Sequence, residues 1–116
     1  MSNNKNSNVY IITRHQGSVE WLNSKGIYGE VLSHLEEDQI RPDSLYIGVL
    51  PVPLIKQVLD ANSRFFLLVL PDITMSQRSA DLCAEEVNKT GASLLEIKNL
   101  DVIPVELSEL KNMIGL

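Results

Sequence analysis

The chain has 116 residues, of which 44% are hydrophobic and 22% charged, and a net charge of −5; these are the values of one small globular domain with enough apolar residues for a core. It has no run of Lys and Arg, and so lacks the broad basic surface that holds long nucleic acid; no apolar run reaches the roughly 18–20 residues of a membrane span. Cys83 is the single cysteine, which excludes an internal disulfide framework and a multi-cysteine zinc site and makes a reducing cytoplasm the expected compartment.

Residues 1–8, "MSNNKNSN", are polar and Asn-rich and read as a disordered leader, with a single domain over 9–116. Residues 9–13 are short, β-branched and aromatic, the pattern of a buried strand. A helix is predicted over 16–24, with Val19, Trp21 and Leu22 together and Gly26 as its stop. "EVLSHL", 30–35, reads as a strand, and "EEDQIRPDS" as a turn region. "LYIGVL", 45–50, is a second buried strand, stopped by Pro51 and followed by a helix with Leu54, Ile55, Val58 and Leu59 on its inner face. "RFFLLVL", 64–70, is a fully apolar strand. A loop, a helix from Arg78 to the Gly91 stop, a strand over 92–97 and an amphipathic C-terminal helix carrying Val105, Leu107, Leu110, Met113 and Ile114 complete the chain. Apolar strands alternating with helices predict an α/β fold: a small, doubly wound, mainly parallel sheet with helices on both faces. The terminal helix, or an exposed apolar face of the sheet, is a candidate dimer contact.

Open parallel sheets bind ligands beyond the carboxyl ends of their strands. The richest such end here is "TRHQG", Thr13 to Gly17. Arg14 offers a planar fork of donors that matches a phosphate. His15 exchanges a proton near neutral pH. Gly17 admits close backbone approach, and N–H groups of the helix start over 16–18 favour an anion. His34 is the other histidine. Two separated histidines without a carboxylate cluster argue against a built-in metal site, and no cofactor motif is present: GxGxxG, GxxxxGK[ST] and GxSxG are all missing.

"TRHQG" is similar to the Arg-His-Gly signature of histidine phosphatases, in which the histidine accepts a phosphoryl group; here Gln16 is inserted between His15 and Gly17, and the chain is much shorter than that fold. A broader match covers nearly the whole chain. "TRHQGSVEWLNSKGI", "SHLEEDQIRPDSLYIGVLPVPL" and "RFFLLVLPDI…RSADL…TGASLLEI" together resemble a family of small CRISPR-associated accessory proteins of type III systems. Thr13, Arg14, His15, Gly17, Glu20, Trp21, His34, Leu35, Gly48, Leu50, Pro51, Val52 and Arg78 fall on its pattern. Pro42-Asp43 stands where that family usually has Gly-Asp, and Arg78-Ser79-Ala80-Asp81-Leu82 where it has Arg-Gly-x-Glu-Leu.

The resemblance implies a fold similar to the Rossmann-like, nucleotide-sensing domains of CRISPR systems, working as a homodimer. It also implies a ring nuclease, opening a cyclic oligoadenylate of four units without metal or cofactor. Arg14, His15 and His34 are then the expected catalytic residues. Thr13, Gln16, Gly17, Ser18, Trp21, Gly48, Leu50, Pro51 and Arg78 are the expected substrate contacts. Binding of the ring without cleavage is the alternative.

Overall fold

The structure, a computed structural model, describes residues 8–70 and 91–115. Its elements are β1 (Val9–Ile12), α1 (Gln16–Ser24), β2 (Glu30–Leu32), β3 (Leu45–Gly48), α2 (Val52–Asp60), β4 (Arg64–Val69), β5 (Ser93–Ile97) and α3 (Leu107–Ile114), with a short 3-10 turn over Glu37–Gln39. The helix predicted from Arg78 to Gly91 lies largely outside the described residues.

The five strands form one sheet in the order β2-β1-β3-β4-β5. The first four run parallel; β5 pairs antiparallel with β4, Leu67 facing Leu95. The chain steps from β1 outward to β2, then back across β1 to β3. The winding direction therefore reverses between β1 and β3, and right-handed crossovers put α1 and α2 on opposite faces. Two core clusters follow. Val19, Trp21 and Leu22 of α1 pack with Val9, Ile11, Ile47 and Leu68. Ile55 and Val58 of α2 pack with Ile12, Tyr46, Leu50 and Phe65 on the other face.

Local chemistry sets the ends of the elements. Thr13 Oγ1 accepts the His15 N–H at 3.1 Å, turning the chain out of β1 into α1. The helix stops where predicted. Gly26 takes φ +85°, and the Gly26 and Ile27 N–H groups return to the carbonyls of Asn23 and Leu22, a Schellman closure that needs a left-handed residue. Asn62, at φ 64°, closes α2 in the same way, with the Asn62 and Ser63 N–H groups bonded to Leu59 and Val58. At the amino ends of β3 and β4 the Ser63 hydroxyl accepts from the Ser44 N–H at 3.0 Å and donates to the Arg41 carbonyl at 2.6 Å.

One expectation changes, and two points the sequence left open are settled. The strand predicted over 30–35 ends at Leu32, so Ser33 and His34 belong to the connection that follows it. The last strand is antiparallel; its apolar pattern reports burial and carries no information on direction. There Arg64 grips Glu96 in a two-point fork, Nε to Oε2 at 2.8 Å and a terminal guanidinium nitrogen to Oε1 at 2.9 Å, beside the Phe66 ring. The C-terminal helix forms, and every residue of 101–115 is exposed, so none of its apolar side chains is buried.

Candidate functional site

The carboxyl ends of β1, β2, β3 and β4 surround a cavity of about 790 Å³. It lies at the β1/β3 reversal, where doubly wound sheets open a crevice for ligands. β1 delivers Thr13, Arg14 and His15; β2 delivers Ser33, His34 and Leu35; β3 delivers Val49, Leu50 and Pro51; β4 contributes Leu67 to Leu70. Leu54 of α2 and Ser18 of α1 complete the lining.

The lining is mostly aliphatic: Leu35, Leu50, Leu54 and Leu67 belong to the core cluster beside α2, and Leu68 and Leu70 to the cluster beside α1. Arg14, His15, Ser18 and His34 are among its polar members. No carboxylate is among the lining residues described, and neither α1 nor α2 has an acidic residue in its first turn. The amino end of α1 adds the Gln16 and Gly17 N–H groups, which have no intrahelical acceptor. At α2 the start is poorer in donors, because Pro53 occupies its first turn and has no N–H.

Arg14 is exposed and makes no ion pair or hydrogen bond among the described residues. His15 is the N-cap of α1, in extended conformation, with no side-chain cap bond. Its Nδ1 is buried without a partner among the described residues, and so is Ser18 Oγ. His34 is 63% exposed, its Nε2 3.1 Å from Glu36 Oε2. Among the described residues no group of three or more His, Cys, Asp and Glu could hold a metal ion, and no helix is long and apolar enough to cross a membrane.

Of the expected contacts, Thr13, Arg14, His15, Ser18, His34, Leu50 and Pro51 meet in this one cavity. Gln16, Gly17, Trp21 and Gly48 are not among its lining residues. Gln16 and Gly17 open α1 just behind it. Trp21 is packed in the core between α1 and the sheet. Gly48 sits against β1 at φ +143°, where an added Cβ would run into the Ile12 carbonyl; close strand approach requires a glycine there. Arg78 lies outside the described residues. Sequence reasoning missed Ser33, Val49, Leu54 and residues 67–70. Their common signal is position: most directly follow, or end, a strand adjoining the reversal.

The fold and its site define a small Rossmann-like α/β protein with a largely apolar cavity, carrying an arginine and two histidines, at the carboxyl ends of its parallel strands. Residues 10–100 match the family model described as "Putative CRISPR-associated protein (Cas_VVA1548)", and the chain belongs to that family. No curated protein and no solved structure matches it.

Proposed function

We propose that this CRISPR-associated protein is a ring nuclease that opens cyclic oligoadenylate, a ring of four adenylates above all, and so switches off type III CRISPR signalling. The observation that carries the reading is the cavity's mixed lining. It gathers Arg14, His15 and His34 from the ends of two adjacent strands, and its aliphatic residues offer a surface for an adenine. A ribonucleotide ring brings its own nucleophile, the 2′-hydroxyl beside each phosphodiester. One histidine removes the 2′-hydroxyl proton as the oxygen bonds to phosphorus. The bond from phosphorus to the 5′-oxygen breaks, and that oxygen receives a proton from the second group. The products are linear adenylates ending in 2′,3′-cyclic phosphate and a 5′-hydroxyl. Arg14 clamps the phosphate and, with the N–H groups of α1, stabilises its growing charge. No step requires a metal.

Two features support a homodimer as the working form. Pockets of about 300–1,000 Å³ hold one drug-sized ligand; the 790 Å³ cavity therefore suits part of a four-nucleotide ring, and two copies about a two-fold axis supply the remainder. The unpacked arm over 101–115 exposes Val102, Ile103, Val105, Leu107, Leu110, Met113 and Ile114, Leu107 by 81%. Their exposed surface, on the order of 700 Å² per chain, approaches the roughly 800 Å² per partner of a stable interface. A second copy is the occupant that covers both arms at once.

The test is incubation of the purified chain with radiolabelled cyclic tetra-adenylate in EDTA, followed by separation of products. Linear fragments support the enzyme. An intact bound ring assigns the chain to sequestration or sensing, and neither binding nor cleavage of any ring size overturns both. His15→Ala should lower turnover by about 10²–10⁴-fold with little loss of affinity, whereas Arg14→Ala should lower both.

A further inference from the structure

We infer that the Ser18 hydroxyl is a donor to the ligand's phosphate, stabilising the non-bridging oxygen on which charge grows. This rests on the reading of the cavity as a phosphodiester site. The serine was expected to act through its backbone N–H, but that group is engaged, donating to the His15 carbonyl at 3.0 Å. The side chain is what remains available.

The chain contains its own control. Among the described residues, three polar residues are buried: Ser18, Ser44 and Ser63. The Ser44 hydroxyl donates to the Pro42 carbonyl at 2.9 Å, and the Ser63 hydroxyl donates to Arg41 at 2.6 Å. Ser18 is among the residues at the cavity but has no exposed surface, so its hydroxyl meets a ligand by turning about χ1; in place, its Oγ has no partner among the described residues. Helical serines commonly relieve such a hydroxyl by bonding back to the preceding turn; Ser18 does not. Buried polar groups are nearly always paired, so an orphan calls for an explanation.

The second orphan is three residues away in the same cavity lining. His15 Nδ1, at the N-cap, is also buried and unpartnered, and positions three apart on a helix are neighbours. A hydroxyl donor beside an imidazole nitrogen matches two adjacent groups of a ribonucleotide: the phosphate oxygen and the 2′-hydroxyl. The site also excludes competitors, because α1 has no acidic residue in its first turn. A donor in a largely aliphatic cavity acts most strongly where charge develops during reaction.

The experiment compares the full-length wild type with Ser18→Ala in three measurements: ligand-free melting temperature, affinity for cyclic tetra-adenylate, and turnover. The alanine variant is expected to melt at or above the wild type, since an orphan hydroxyl contributes nothing to the free protein. Turnover is expected to fall about 10²-fold or more, and affinity about tenfold. A lower melting temperature shows a structural hydroxyl and overturns the inference; so does wild-type turnover. If the wild type binds the ring without cutting it, affinity decides: a loss of about tenfold or more upholds the donor, and unchanged affinity rejects it. If the wild type ignores the ring, titration with inorganic phosphate and adenosine 5′-monophosphate decides. Ser18-dependent binding keeps the donor and discards the ring, while no binding discards both.

Discussion

Replacing Gly48 with alanine should destabilise the fold without acting on a ligand directly. Gly48 is paired with Ile12 at the carboxyl end of β3, just before the segment that carries Thr13 to His15. An alanine Cβ there would overlap the Ile12 carbonyl oxygen and stand 3.0 Å from the carbonyl carbon and 3.2 Å from the amide nitrogen. These atoms are backbone within a central strand, so they cannot swing aside as a side-chain tip can. The residue would also be held at φ +143°, a conformation that costs a non-glycine about 1–3 kcal/mol. Displacing the strand adds a similar amount, as overpacking does, for a total of about 2–6 kcal/mol. A domain has about 5–15 kcal/mol in all. At a few degrees per kcal/mol, the melting temperature should fall by on the order of 10–20 °C. Thermal melts by circular dichroism, with urea unfolding in parallel, measure this. A melting temperature within about 3 °C of wild type would refute the reasoning. A fully stable variant that had lost ring binding would return Gly48 to the ligand contacts.

Tyr46→Phe should cost about 1–3 kcal/mol in urea unfolding, because the Tyr46 hydroxyl accepts the Arg41 N–H at 2.7 Å and the variant leaves that donor unpaired. Burial raises the Tyr46 phenol above its ordinary 10.0, so its contribution is complete below pH 10 and declines as pH rises through the raised value. The phenylalanine variant should lack that part of the alkaline loss, and identical alkaline profiles would count against it. Glu96 is held below its ordinary 4.5 by the hydrogen bonds from Arg64. The stability gap between wild type and Glu96→Gln should be constant above about pH 4.5 and close as pH falls through the lowered value; a gap that persists in acid contradicts the pairing. Deleting residues 101–116 should convert a dimer to a monomer in light scattering while leaving a cooperative melt. An unchanged mass would free the arm from that role.

Much of the site was legible because it depends on local chain chemistry. The sequence "YIITRHQG" has the β-branched run of a buried strand and then the polar residues of a turn, and a strand end in an α/β fold is where ligands bind. His34 lines the same cavity as His15 although its strand ends earlier than expected. The reason is that β2 is parallel to β1, so the segment after Leu32 emerges on the same edge of the sheet. Trp21 and Gly48 stand near the site in sequence and in pattern but are not among the cavity's lining residues. Their packing partners, Ile11 and Leu68 in the core around Trp21 and Ile12 beside Gly48, belong to other strands that no local window contains.

The sequence by itself determined the element types, the helix stop at Gly26, the apolar faces, and the placing of Arg14 and His15 at a strand end, since propensity, periodicity and turn chemistry act within a few residues. Only the tertiary structure decided the strand order, the reversed direction of β5, the exposure of the C-terminal arm, and which side chains line the cavity. It alone separated Ser18 from Ser44 and Ser63: three buried serines look alike in sequence, and whether a hydroxyl finds a partner depends on carbonyls that folding brings to it or leaves out of reach.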